Sequence, residues 1–223
     1  MYLFSKNYST LLVVLLFLFT WQAGFAQLKI NPGLKSKLDS IKILDQKYRN
    51  IDVTPSDIDS LSKIFNVPKD QVESYIWKLQ GSIDSLNLIA IKDMINKYGY
   101  PGKSLVGEKT NEVAWYVIQH SKEIPIYLKM IKKAGRKNEL SMERVATMED
   151  RLLLEEGKEQ IYGSQAQCTV LQGKYDCFIW PIKRVSTVNE RRKKVGMKLT
   201  VEENAKRLGI NYRIVTTKEV KTK

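Results

Sequence analysis

Two cysteines and one histidine are all that 223 residues supply. That stock is too small for an all-cysteine or paired-histidine zinc site, an iron–sulfur cluster or a His-rich metal centre, so no metal ligand set and no cofactor is expected. Long hydrophobic runs are also scarce. The one unbroken stretch, Leu11 to Phe19, is short for a bilayer-spanning helix of roughly 20 residues. Internal repeats and low-complexity tracts are absent. What remains, 43% hydrophobic and 27% charged residues, describes a foldable globular chain.

The apolar stretch reads instead as an export signal. Lys6 precedes it, Trp21 closes it, and Gly24 and Ala26 suit the −3 and −1 positions of a signal-peptidase site. Residues 1–26 are therefore expected to be a signal peptide cleaved before Gln27, with an uncleaved anchor as the alternative. The mature chain is expected to be periplasmic or secreted, with no transmembrane span after cleavage.

Acidic residues are outnumbered, 24 against 37 Lys and Arg, and the excess is local. From Lys183 to Lys223 there are 13 basic and 4 acidic residues, whereas Gln27 to Ile182 is nearly balanced at 23 and 20. Such a tail favours an anionic ligand or protein partner, or simply provides a solvated face. Leu199 to Ile210 looks like the opening of a helix-turn-helix. The leader and the strand-like Asn211 to Thr217 that follows argue against nucleic acid.

Helical periodicity dominates the chain before residue 166. Leu34, Leu38, Ile41, Leu44 and Tyr48 recur at helical steps, Thr54-Pro55 opens a second helix, and Pro68 starts a long third that Gly81 is expected to break. Helices follow around Asn111–Ser121, from Pro125 to Gly135 and from Ser141 to Gly157, and Thr187/Glu190 and Thr200/Glu203 have capping-box spacing. The expected fold is mainly α with one small antiparallel β-hairpin. An N-terminal helical appendage, residues 27–80, precedes a core domain, 81–223, with the hairpin at 166–182.

The hairpin can be registered by counting. If Gln172-Gly173 is a two-residue loop, Leu171 faces Lys174, and Cys168 faces Cys177 at a non-hydrogen-bonded position. Cα atoms there lie roughly 4.5 Å apart, within reach of a disulfide. Closing this short loop is worth about 2.5–3 kcal/mol in the chain-entropy model.

Three places could carry chemistry. Val113, Ala114, Val117 and Ile118 mark a helix apolar nearly all round, which brings Gln119 and His120 to the core boundary. His120 is either a satisfied structural group or a general base. In the helix after Ser141 the wheel points Glu149 inward and puts Asp150 at an edge. The loop Gly157 to Gln165 offers Gln160, Tyr162, Ser164 and Gln165 as donors and acceptors, without a strong nucleophile.

From about Asp84 to Tyr212 the sequence resembles an uncharacterised bacterial family, a domain of unknown function. The matching motifs are Asp84-x-x-Asn87, Tyr98-Gly-Tyr-Pro101, Gln119-His120, Asp150-Arg151, Gln160-x-Tyr-Gly-Ser-Gln165 and Val188-Asn-x-Arg-Arg192. Ser164 stands where that family more often has threonine. The resemblance implies that His120, Asp150, Arg151, Tyr162 and Gln165 gather in one pocket, and it favours Asp150 over Glu149. Arg191 and Arg192 would add positive charge. The expectation is an exported binding or structural domain with a polar pocket around His120. The alternative is a hydrolase or transferase for an anionic substrate, with His120 as base, Asp150 as its orienter, and Arg151 or Arg192 stabilising charge.

Overall fold

A computed structural model of the chain describes residues 30–51, 53–171 and 173–221. The signal peptide expected at 1–26 lies outside the described residues. Among these residues ten α-helices and one two-stranded sheet follow in order: α1 Pro32–Gln46, α2 Ile58–Phe65, α3 Val72–Tyr98, α4 Lys103–Val106, α5 Val113–Gln119, α6 Ile124–Arg136 and α7 Met142–Glu155. Then come β1 Ala166–Leu171, β2 Lys174–Ile179, α8 Val188–Lys194, α9 Val201–Arg207 and α10 Thr217–Lys221. The protein is mainly α with a minor antiparallel β element. No described helix is long and apolar enough to cross a membrane.

The helical part is built around α5. Its Val113, Ala114, Trp115, Val117 and Ile118 are all buried, as an almost wholly apolar seven-residue helix requires. Leu34, Leu38 and Ile41 of α1, Ile91 and Ile95 of α3, Ile131 of α6 and Met148 of α7 pack around it in one core. The indole N–H of Trp115 donates to Arg144 O at 2.8 Å, so the one polar atom of that ring is satisfied at the α5–α7 contact.

α1 supplies part of the principal core, and α3 runs unbroken through Gly81. Glycine in a helix interior costs only about 1 kcal/mol, which the packing of a 27-residue helix absorbs. Only α2 is peripheral, with no buried residue.

The C-terminal part has its own smaller cores. Ile179, Ile182, Val188, Val201, Ala205 and Ile210 form one, and Phe178, Trp180 and Val215 another. The sheet has the counted register, Leu171 opposite Lys174 and Cys168 opposite Cys177. The two cysteines form a disulfide with Cα atoms 4.0 Å apart. Thr200 and Glu203 complete a capping box on α9. Thr187 does not cap α8; its hydroxyl instead accepts Arg191 Nη1 at 2.7 Å. Residues 211–216 are not a strand, because no neighbouring strand edge is paired to them, and Thr217 instead opens α10.

Candidate functional site

His120 is the C-cap of α5, where the helix ends and the chain turns toward α6. Its Nδ1 lies 3.1 Å from Asp45 Oδ1, and Gln119 Nε2 lies 3.4 Å from its Nε2. An ionised carboxylate only accepts, so Nδ1 is the donor of the pair with Asp45, and the Gln119 amide faces the other ring nitrogen. The imidazole is 16% exposed and the Asp45 side chain 1%.

Asp45 sits in the last turn of α1 within a polar network. Gln46 Nε2 donates to its Oδ2 at 2.7 Å and the Arg49 guanidinium lies 3.6 Å from Oδ1. Arg49 in turn makes a two-pronged pair with Asp84 of α3, at 2.9 and 2.6 Å. Gln80, fully buried on the same face of α3, donates to Asp84 Oδ1 and Asp45 O and accepts the Tyr48 N–H. Burial pushes the Asp45 carboxyl up, but the hydrogen bond and charge of His120, with Gln46 and Arg49, hold it below the ordinary carboxylate value. The network thus joins α1, α3 and α5.

Tyr116, one turn before His120 on α5, leads to a second group. Arg144 of α7 donates to the Tyr116 hydroxyl at 3.1 Å and to Glu112 at 3.0 Å, and its guanidinium lies over the Trp115 and Tyr116 rings at 4.9 and 5.4 Å. Burial raises the Tyr116 hydroxyl pKa, with Arg144 opposing and Glu112 and Asp45 adding to the rise.

Asp150 does something else. The expectation that it orients His120 is corrected by where its oxygens go. They accept Ile161 N at 2.7 Å, Tyr162 N at 3.0 Å, Ser164 N at 3.0 Å and Ser164 Oγ at 2.9 Å. Arginines hold the carbonyl side of the same loop: Arg191 Nε donates to Ile161 O at 2.9 Å, and Arg192 Nη1 to Tyr162 O at 2.7 Å. Gln160, also fully buried, bonds Trp180 O and the backbone of Gln165. Gln165 reaches Thr147 O at 3.4 Å, joining the loop to α7. Loop 160–165 is therefore clamped, N–H groups on a carboxylate and carbonyls on guanidinia. Gly163 has φ +66° there, and a Cβ would lie 2.7 Å from both Ile182 Cδ1 and Val201 Cγ2. Burial drives the Asp150 carboxyl above the ordinary range, against the opposing donors of Ser164, Tyr162 and Ile161.

The residues read from sequence thus separate into two groups. Gln119 and His120 lie with Asp45; Asp150, Gln160, Tyr162, Gln165, Arg191 and Arg192 belong to the clamped loop. Arg151 turns to Glu155 at 3.7 Å, and Glu149 pairs with Lys132 at 2.6 Å. A profile described as "Family of unknown function (DUF6624)" matches residues 45–216. The chain belongs to that family. No curated protein and no solved structure matches it. The family region begins at Asp45, so it takes in every member of both groups.

Asp45, Arg49, Gln80, Tyr116 and Arg144 were missed by sequence reasoning. A signal existed for Asp45: the buried face of α1 is Leu34, Leu38, Ile41 and Asp45, at steps of four, three and four. A carboxylate on an otherwise apolar stripe requires a partner across the helix interface. Among the described residues, no group of three His, Cys, Asp or Glu side chains could hold a metal ion.

Proposed function

We propose that the protein is exported to the periplasm or beyond and works there as a binding or structural domain, with the polar region around His120 as its contact site. The observation that carries this reading is the fate of the motif side chains. Asp150, Gln160, Arg191 and Arg192 spend their polar atoms on the protein's own loops, which is the use of a group that holds a fold together rather than one that meets a substrate. The export part rests on the sequence of the leader and fits the cystine, which belongs to an oxidising compartment.

One observation favours a second reading, a hydrolase or transferase acting on an anionic substrate. His120 sets Nδ1 on a buried carboxylate and turns its outer nitrogen toward Gln119, an imidazole oriented as a general base would be, with Asp45 rather than Asp150 as its orienter. Arg144, hydrogen-bonded to the neighbouring Tyr116, would meet the negative charge.

His120→Ala separates the two. The binding or structural reading expects loss of stability, with no turnover to lose on ester, phosphoester or amide test substrates. A variant that stays as stable as the parent while a measurable hydrolysis disappears would establish the enzyme instead. Fractionation with N-terminal sequencing tests export: the expected mature start is Gln27, and an unprocessed chain in the cytosol would end that part of the reading.

A further inference from the structure

The Tyr98-Gly-Tyr-Pro101 motif takes no part in either group of polar contacts, yet it stands between two grooves. One, of about 460 Å³, lies between the start of α1 and the end of α3, with Leu34, Ala90 and Met94 in its floor. The other, of about 500 Å³, lies between the loop after α3 and the end of α6, floored by Leu105, Met130 and Ala134. Tyr98 lines both, and His120 lines neither. Each is of the size that holds a ligand fragment.

Lysine outnumbers carboxylate in the lining of both grooves. Lys37 and Lys97 line the first, Lys133 and Lys137 the second, and among the described residues none of the four has a carboxylate within ion-pair distance. Elsewhere on the same helices Lys35, Lys92 and Lys132 are paired, with Asp39, with Glu123 at 2.8 Å and with Glu149 at 2.6 Å, and so take no part in either groove. Two carboxylates share the grooves, Asp93 and Glu139, and Glu139 already accepts the Ser104 N–H at 2.8 Å. The balance is positive, so the complementary ligand is anionic.

The floors decide its class. Leu34, Ala90, Met94, Leu105, Met130 and Ala134 offer aliphatic and thioether surface, which suits apolar side chains of varied shape. Two troughs in series, separated by one exposed ring, fit an extended chain rather than a compact small molecule. We propose that the two grooves form one binding site for an extended acidic peptide segment of a partner protein. Its apolar side chains sit on either side of Tyr98 and its carboxylates on Lys37, Lys97, Lys133 and Lys137. This stands apart from the His120 reading and survives or fails without it.

The probe is a short fluorescein-labelled peptide of alternating leucine and glutamate, followed by anisotropy with the full mature chain. Binding that weakens as salt rises is expected. The pair Lys97→Glu and Lys133→Glu should weaken it about tenfold or more, and Tyr98→Ala should weaken it too. Lys193→Glu with Lys198→Glu, in the C-terminal basic region, should leave it unchanged. All four positions are exposed, and circular dichroism verifies that each variant is folded. The proposal is overturned by no binding, by equal loss from the C-terminal reversal, or by polyglutamate binding as tightly as the leucine-containing probe. Polygalacturonate displacing the peptide at lower concentration would assign the grooves to acidic glycan instead.

Discussion

Asp45 and Asp150 are both closed off from solvent, at 1% and 0% exposure, with Asp150 the deeper of the two, and they behave in opposite ways. Asp45 shares its proton-binding oxygens with an imidazole and lies near a guanidinium, so charge outweighs burial and its carboxyl is the stronger acid. The hydrogen-bond partners of Asp150 are backbone N–H groups and a hydroxyl, all uncharged, so burial prevails and its carboxyl is the weaker acid. The lesson is that depth and the charge of what a buried acid touches set its state together. It also separates two uses of the same residue: Asp45 ties three helices together through side chains, while Asp150 fixes the shape of one loop through its backbone.

The largest effect expected from this contrast is on folding. Asp150→Ala leaves three N–H groups and the Ser164 hydroxyl without an acceptor in a place water does not reach. Each unsatisfied buried donor costs about 1–3 kcal/mol, not additively, so a loss of about 3 kcal/mol or more is expected in urea unfolding. Asp45→Ala should cost less, about 1–2 kcal/mol, because His120 is partly exposed and Arg49 keeps its two bonds to Asp84. Equal losses from the two substitutions would break the comparison.

A smaller effect is the slope of stability with pH, and its sign differs between the two acids. The folded state holds Asp45 ionised below the ordinary carboxylate value, so its contribution is present above about pH 4 and is lost as pH falls through the folded value. Asp150 is the reverse: its contribution is complete below about pH 4 and is lost as pH rises from there through its raised folded value. Urea midpoints measured across this range should show Asp45→Asn flattening the acid-side rise and Asp150→Asn flattening the decline that opposes it. Variants that alter the profile in the same direction would show that the two carboxyls share one environment after all.

How much of this was legible in sequence follows from what sequence patterns encode. The hairpin register was, because strand pairing has a period of two and a two-residue loop leaves one solution, Cys168 against Cys177. The burial of α5 was, because nothing but apolar surface surrounds it. The face of α1 differs from the stripe that apolar letters alone trace. Leu44 is exposed at 42%, while Asp45 on α1 and Gln80 on α3 occupy buried positions. Polar side chains can take such places when partners from another helix satisfy them, and that pairing is tertiary information. The wheel for α7 failed at Glu149 for the same reason: what buries Asp150 is a loop's row of N–H groups, which no helical periodicity records. The resemblance identified Asp150 but could not say that its partners lie 11 to 14 residues onward rather than at His120.

The smallest expected effect concerns the glycines of the two regions. In the C-terminal part Gly163 is required, since its φ is +66° and any Cβ would strike Ile182 and Val201. In the helical part Gly81 is not: it sits mid-helix in α3, exposed, with nothing within 4 Å of where a Cβ would go. Alanine there keeps the helical backbone, restricts the unfolded chain and meets no neighbour, so Gly81→Ala should stabilise by about 0.5–1 kcal/mol. A thermal or urea midpoint that rises by that amount agrees with one continuous helix from Val72 to Tyr98. A fall would mean that α3 bends or opens at Gly81 in solution, and that the chain before it is less firmly part of the core than the packing of Leu34, Leu38 and Ile41 requires.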